Sequence, residues 1–163
     1  MTGLGERRRL GLRNPWIIQM ELSKDVKTRI VPSLRYQDCR QAINWLCATF
    51  GFEEQLIVPN ESGGIAHARL VCGMAMIMLG DYHRDADDPF GQLNKSPLQL
   101  DGCNTAGVYM IVKDVDAHYE KARSAGAEIV LDIVDHQGHG GRGYTCKDLE
   151  GHLWSFGSYD PWE

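Results

Sequence analysis

The residues of this chain that are best suited to holding a metal ion lie in one short segment. Asp135 is followed directly by His136, and His139 comes three positions later. Carboxylate and imidazole groups are ligands that divalent cations commonly take from proteins. The same segment is rich in glycine, so the alternative is a turn with two solvated histidines. A flexible loop lacks the fixed surroundings that orient metal ligands, which favours the turn.

Nucleophilic catalysis has no recognisable motif here. The chain contains neither a Gly-x-Ser-x-Gly elbow nor a P-loop, and no cysteine has a signature that pairs it with a histidine. The cysteines are odd in number and lack C-x-x-C spacing, which indicates reduced thiols in the core of a cytoplasmic protein. They are Cys39, Cys47, Cys72, Cys103 and Cys146.

A methionine-rich strand offers a different chemistry. Strand alternation places Met74, Met76 and Met78 on one face and Ile77 and Leu79 on the other. The thioether is polarizable and adaptable, so such a face suits planar or apolar ligands. Ordinary core packing is the alternative, and the sequence leaves both interpretations open.

The elements that must position these residues occur twice. Asp38 and Gly51 in the first half correspond to Asp114 and Gly126 in the second, 76 and 75 residues later. In each half an aspartate suited to a helix N-cap precedes an amphipathic run, and a glycine suited to a C-cap ends it. A β-like segment precedes each helix, and a turn-closed pair of strands follows it. The pattern predicts an α+β fold of two repeated units, with a ligand surface where the two sheets lie side by side.

Size and charge limit the classes of function. At 163 residues the chain is expected to be one domain, or two small modules that share a core. The net charge of −5, without a basic stripe, argues against nucleic acid as the main partner. No stretch approaches ~18 consecutive apolar residues, which argues against a membrane-spanning segment.

Two segments lie outside the repeat. Residues 1–28, which include Trp16-Ile17-Ile18, are expected to form a flexible extension, with an added edge strand or a partner-binding arm as the alternative. Residues 82–106 are long for a connection within a compact domain, which indicates a linker or a functional loop over a site. The predicted domain covers residues 29–160, with module one at 29–81 and module two at 107–160.

The end of the second half is similar to a motif of a known superfamily. The run from Gly141 to Gly157, centred on Asp148-Leu149-Glu150-Gly151-His152, resembles the vicinal oxygen chelate superfamily, as do Leu34 to Asp38 and Phe50-Gly51-Phe52. That superfamily includes glyoxalase I, extradiol dioxygenases, fosfomycin-modifying enzymes and bleomycin-resistance proteins. The resemblance covers about residues 29 to 160 and implies paired βαβββ modules. Leu149 stands where proline is usual in this motif.

The resemblance also implies where a metal would bind. Metal-dependent members take His, Gln or Glu ligands from the first and last strands of each module. The corresponding positions of this chain hold Val31, Met78, Val108 and Ser155. Two valines, a thioether and one hydroxyl do not satisfy a hard divalent cation, so neither a metal nor another cofactor is expected.

The concave faces of the two sheets are then the expected ligand site. By strand parity these faces hold Val31, Ser33, Met76, Met78, Val108, Met110, Leu153 and Ser155, while Trp154 and Phe156 face the helices. Arg142 and Tyr144, with Arg35 and Arg69, either form the rim of the site or are ordinary surface residues. His152 is expected to be a buried, hydrogen-bonded strand residue, as in the resembling proteins.

These expectations favour a binding protein. It would be similar to the metal-free bleomycin-resistance branch, a homodimer that sequesters a hydrophobic or aromatic compound in a groove between modules, and no catalytic residue is assigned. The alternative is a metal-dependent lyase, isomerase or dioxygenase of the same superfamily. A plain interaction module whose groove is vestigial is a third possibility.

Overall fold

The computed structural model describes residues 29–82, 89–138 and 140–163. The first half contains β1 (Ser33–Tyr36), α1 (Cys39–Phe50), β2 (Glu53–Pro59), β3 (Ile65–Cys72) and β4 (Ala75–Asp81). A short helix α2 (Pro89–Leu93) and a 3₁₀ turn (Pro97–Gln99) follow. The second half contains β5 (Val108–Ile111), α3 (Val115–Ser124), β6 (Glu128–Asp135), β7 (Arg142–Lys147) and β8 (Leu153–Gly157).

Each half forms one four-stranded sheet, and the two sheets have the same topology. The strand orders are β1-β4-β3-β2 and β5-β8-β7-β6. The first strand of each half runs parallel to the last, and the other neighbours are antiparallel. The predicted α+β fold of two βαβββ modules is confirmed.

The residues that mark the sequence repeat are helix boundaries. The carboxylates of Asp38 and Asp114 each accept a hydrogen bond from an N–H of the first helical turn, at 2.9 and 3.0 Å. Gly51 ends α1 with φ +80°, and Gly126 follows α3 with φ +84°. Both glycines lie in the left-handed region, which residues with a Cβ rarely adopt.

The helix-facing sides of the two sheets share one core. The Phe50 ring, at the end of α1, lies 5.3 Å from that of Trp154 and 4.7 Å from that of Phe156. Trp154 and Phe156 are fully buried, as expected from strand parity. Because the modules meet through their helix-facing sides, the opposite face of each sheet stays open.

The buried carboxylate of Asp148 joins the modules. Its Oδ2 accepts hydrogen bonds from the Tyr36 hydroxyl at 2.6 Å and from Trp154 Nε1 at 3.0 Å. Its Oδ1 accepts from the backbone N–H groups of Glu150 and His152 at 3.1 and 3.0 Å. Burial, together with the charge of Asp148, raises the pKa of Tyr36 well above its ordinary value, so the hydroxyl remains a donor.

Two further residues of the same motif reach the first module. The Glu150 carboxylate accepts from the backbone N–H groups of Gln37 and Asp38 at 2.6 and 2.8 Å. His152 is 6% exposed, and its Nε2 donates to the carbonyl of Arg35 at 2.9 Å. His152 is therefore buried and hydrogen-bonded, as predicted, and the motif that carries the resemblance has a structural role.

The cysteines only partly follow the prediction that they are core residues. Cys39 and Cys146 are buried, whereas Cys47 and Cys72 are half-buried and Cys103 is exposed. Burial raises the pKa of the Cys39 and Cys146 thiols to about 12, so neither is a ready nucleophile.

The first 28 residues, with Trp16-Ile17-Ile18, lie outside the described part of the chain. Across the residues that are described, no helix is both long enough and apolar enough to cross a membrane.

Candidate functional site

A cavity of about 510 Å³ lies on the open face of the second sheet. Two of its hydroxyls are in direct contact, with Thr145 Oγ1 2.9 Å from Ser155 Oγ, and the Tyr109 hydroxyl donates to the carbonyl of Tyr159 at 2.7 Å. The charged or titratable side chains of Asp132, His136 and Arg142 also line the cavity. Much of the remaining lining is apolar or aromatic and includes Val130, Leu131, Val134 and Tyr159. An apolar cavity with a few fixed hydroxyls is typical of a site for a small organic molecule.

The register of β5 decides which of its residues reach this cavity. Tyr109 pairs with Ser155, whereas Val108 and Met110 pair with Trp154 and Phe156. Since directly paired residues point to the same face of a sheet, Tyr109 lies on the open face. Val108 and Met110 pack against the core. The sequence-based placement of these two residues on the concave face was therefore wrong by one position.

The open face of the first sheet holds the other predicted residues. Ser33 on β1 and Arg69 on β3 both pair with Met78 on β4, and Met76 pairs with Val71 further along. The side chains of Met76 and Met78 are half-buried, neither core nor fully exposed. Val31, two residues before Ser33, precedes the strand and is also half-buried. Met74, which parity grouped with these methionines, lies in the β3–β4 turn and is 89% exposed.

The structure does not bring the predicted site residues into one groove. Of that set, Ser155, Arg142 and Tyr144 line the 510 Å³ cavity, and no residue of the first sheet does. Leu153 is half-buried and two positions from Ser155 on β8. The expected groove between modules is thus replaced by two separate open faces, because the modules pack through their helices.

Arg142 and Tyr144 have partners of their own. The guanidinium of Arg142 binds the Asp116 carboxylate at 3.0 Å and that of Asp135 at 3.2 Å. The hydrogen bonds to these two carboxylates raise the pKa of Arg142 above its ordinary value. Tyr144 contributes to the cavity lining, but it is only 3% exposed and its hydroxyl faces His118. The charge that Arg142 brings to the cavity is therefore neutralised by these carboxylates.

His118 is enclosed by rings at the base of the second sheet. Its ring centroid lies 4.2 Å from that of Phe156, and its Nδ1 lies 2.7 Å from the Tyr144 hydroxyl. Its Nε2 is buried without a hydrogen-bond partner. Burial lowers the pKa of His118 below its ordinary value, and the backbone of Phe50 opposes that shift only in part. The folded protein therefore favours a neutral imidazole.

This environment predicts lower stability in mild acid. Because the pKa of His118 is lower in the folded state, its contribution is complete above the ordinary value of about 6.5 and is lost as the pH falls from there toward the folded pKa. Compared with His118→Phe, the wild type should lose free energy of unfolding across that window. The loss should stay below about 1.4 kcal/mol per pH unit, since a single imidazole takes up at most one proton. Urea unfolding of both proteins at about pH 7.5 and pH 5.5 measures it, and equal losses would contradict the assignment.

The residues of the site do not fit a divalent metal ion. The neighbours of Ser155 on the open face are Tyr109 and Thr145, and three neutral hydroxyls are weak ligands for such a cation. Asp132 and His136 also line the cavity, and the Asp132 carboxylate already accepts from the Tyr119 hydroxyl at 2.7 Å. On the first sheet a cation would meet Arg69 beside the Met78 thioether. Within residues 29–82, 89–138 and 140–163, no group of three or more His, Cys, Asp or Glu side chains is arranged to hold a metal. His139, a candidate in the displaced site, lies outside these residues.

The sequence and the structure of this chain are similar to those of known proteins. The family described as the Glyoxalase/Bleomycin resistance protein/Dioxygenase superfamily matches residues 29–156. An uncharacterized protein of Mycobacterium bovis is 32% identical over 133 residues, which cover 82% of this chain and 84% of the relative. The crystal structure of TioX from Micromonospora sp. ML1 is 34% identical with a TM-score of 0.60, over 80% of this chain and 97% of that chain. Lactoylglutathione lyase from Agrobacterium tumefaciens, 17% identical with a TM-score of 0.58 over 81% of this chain and 93% of that chain, shares the fold alone.

Proposed function

This chain belongs to the glyoxalase/bleomycin resistance protein/dioxygenase superfamily, and we propose that it is a metal-free binding protein that sequesters a hydrophobic or aromatic small molecule. The observation that carries the proposal is the cavity of about 510 Å³ on the second sheet. A cavity of that size lies within the range of ~300–1,000 Å³ common for small-molecule sites.

The chemistry of the cavity supports binding rather than catalysis. Its hydroxyls include those of Ser155, Thr145 and Tyr109, and those of Ser155 and Thr145 already bind each other. Asp132, which also lines the cavity, is hydrogen-bonded to the Tyr119 hydroxyl. A hydroxyl needs an adjacent base to act as a nucleophile, and the hydrogen-bond partner of Ser155 is another hydroxyl. The five free cysteines support the proposal that the protein acts in the cytoplasm.

We further propose that the protein is a homodimer in which a second copy covers the open cavity. Tyr109, Leu131 and Val134 line the cavity and are 47%, 63% and 48% exposed. An apolar face of this kind is stabilised by a symmetric partner that buries it. Light scattering at micromolar concentration should give about twice the chain mass of 18.3 kDa.

Two variants test whether the second copy covers the face that holds the cavity. Leu131→Asp places a charge in the proposed interface and should shift the protein toward monomer, because burying an unpaired carboxylate is costly. Leu149→Asp changes a residue that is 45% exposed in the β7–β8 turn and should leave the mass unchanged. A wild-type mass of 18.3 kDa under these conditions would contradict the dimer.

The proposed function is tested by metal analysis followed by a binding titration. Protein purified without chelator should contain no stoichiometric metal by mass spectrometry, because the described residues hold no group of three or more His, Cys, Asp or Glu side chains arranged as ligands. The same sample should bind the neutral dye N-phenyl-1-naphthylamine with increased fluorescence, reporting an apolar aromatic site. One equivalent of zinc, nickel, manganese or iron per chain would overturn the metal-free proposal. Absence of dye binding would count against sequestration.

A further inference from the structure

The open face of the first sheet carries two guanidinium groups without a carboxylate partner among the described residues. Arg35 lies on β1 beside Gly80, and Arg69 lies on β3 beside Met78. Since Met78 and Gly80 are two positions apart on β4, both arginines lie on the same face. The Nε atom of each is buried and has no hydrogen-bond partner. The described ion pairs involve other arginines, namely Arg40, Arg123 and Arg142.

The Arg35 guanidinium is held in place by its neighbours. Its Nη1 donates to the backbone carbonyl of Asp81 at 3.2 Å and lies directly over Gly80, where an added Cβ would be only 2.6 Å away. The Phe90 ring, from helix α2, covers the guanidinium at 5.1 Å from its carbon to the ring centre. Phe90 itself is 55% exposed. A planar cation is therefore fixed between the sheet and an accessible aromatic ring, and one of its five donors has a hydrogen-bond partner among the described residues.

Within the part of the chain that the structure describes, the acidic side chains near this face are directed elsewhere. The Asp81 carboxylate accepts from the backbone N–H groups of Cys39 and Ile65, on the core side of β4. Glu53 lies on β2 beside Val71, and no described ion pair joins it to Arg69. The chain as a whole has a net charge of −5, so this positive face is a local feature. A ligand that complements the charge of this face is an anion.

We infer that this face binds the anionic group of a planar aromatic ligand. Arg35 and Arg69 hold an oxyanion such as a carboxylate or sulfonate, and the aromatic part packs on Met78 and Phe90. Guanidinium groups bind such oxyanions through paired N–H donors, and methionine and phenylalanine pack well on aromatic rings. The inference rests on the proposed function and assigns an aromatic anion to the first sheet, a surface separate from the cavity of the second sheet.

Two dyes that differ by one charged group test the inference. 8-Anilinonaphthalene-1-sulfonate has the same aromatic skeleton as N-phenyl-1-naphthylamine and adds a sulfonate. In the double variant Arg35→Gln and Arg69→Gln, the Kd of the sulfonate dye should rise about tenfold or more, since two charge-assisted contacts are lost. The Kd of the neutral dye should change by less than about twofold, because the double variant alters neither the apolar side chains of this face nor the cavity of the second sheet.

Matched variants separate charge from packing. Arg40→Gln removes an exposed arginine of α1 whose ion pair with Glu54 lies outside this face, and it should leave both dyes unaffected. Met78→Glu supplies a carboxylate beside Arg69. It should raise the Kd of the sulfonate dye far more than the uncharged Met78→Gln does. Near-ultraviolet circular dichroism checks that each variant keeps its tertiary packing.

The outcomes distinguish this inference from the proposed function. If the double variant raises the Kd of both dyes equally, or leaves the Kd of the sulfonate dye unchanged, the proposed anion binding on this face is wrong. A wild-type protein that binds the neutral dye but not the sulfonate dye also overturns it and leaves the proposed function standing. A wild-type protein that binds neither dye contradicts both.

Discussion

Replacing Asp148 with alanine should lower the free energy of unfolding by about 3 kcal/mol or more. The side chain is 7% exposed, and its two oxygens accept four hydrogen bonds. The substitution leaves the Tyr36 hydroxyl and the Trp154 indole N–H buried without an acceptor, which costs more than the bonds themselves contribute. Because Tyr36 belongs to the first module and Trp154 to the second, the loss should appear as weaker coupling between modules. Urea unfolding measures the midpoint and the slope.

Substitutions at two neighbouring residues give stability changes with which the effect of Asp148→Ala can be compared. Leu149→Ala alters an exposed residue of the same turn and should change stability by less than about 0.5 kcal/mol. Tyr36→Phe removes one donor and leaves Asp148 with three, so about 1 kcal/mol is expected. A cost below that of Tyr36→Phe for Asp148→Ala would show that these hydrogen bonds do not hold the modules together.

The elements with local sequence signals were predictable. Asp38 and Asp114 cap their helices through hydrogen bonds that span three residues, and Gly51 and Gly126 supply the positive φ at the ends. These preferences act within a single helical turn, so they can be read from a short stretch of sequence. The duplicated order of elements then followed from the repeat.

The open face of β5 was not predictable in the same way. Its sequence, Val-Tyr-Met-Ile, is apolar at every position, so no alternation reveals which residues face the core. The parallel pairing with β8 sets the parity, and a shift of one residue exchanges the two faces. For this reason the sequence did not place Tyr109 on the open face, and it placed Val108 and Met110 there wrongly.

The other features that the sequence did not predict depend on contacts between residues that are distant in sequence. β2 and β6 are edge strands with register shifts, so their alternation is broken and residue patterns alone did not identify them. Phe90 lies 55 positions after Arg35, in a connecting segment that the sequence marked only as a linker or a functional loop. The position of an aromatic ring over a guanidinium depends on how that segment folds back, which no local signal specifies.

The shared core explains why the site divides between two sheets. Phe50 packs on Trp154 and Phe156, which uses the helix-facing side of both sheets to join the modules. The opposite sides stay open, one with a cavity that holds tyrosines and hydroxyls, the other with two arginines beside methionines. A ligand that needs both surfaces would require a second copy of the chain, which links the dimer proposal to the binding proposal.

Filling the cavity of the second sheet should therefore abolish binding. Ser155 is half-buried on the open face, with its Oγ 2.9 Å from Thr145 Oγ1, in the centre of the lining. Ser155→Trp places an indole in the cavity of about 510 Å³ and occupies the surface against which an aromatic ligand would pack. The Kd of N-phenyl-1-naphthylamine should rise by at least about tenfold, measured by fluorescence titration.

Ser155→Ala is the matched control for bulk. It removes the hydroxyl and keeps the space, so the neutral dye, which gains little from that hydrogen bond, should bind within about threefold of the wild type. The Ser155 side chain faces the open side of the sheet while Trp154 and Phe156 fill the core, so the tryptophan variant should remain folded by circular dichroism. A folded Ser155→Trp protein with unchanged dye affinity would place binding elsewhere, and the cavity would then be a gap left for the partner subunit.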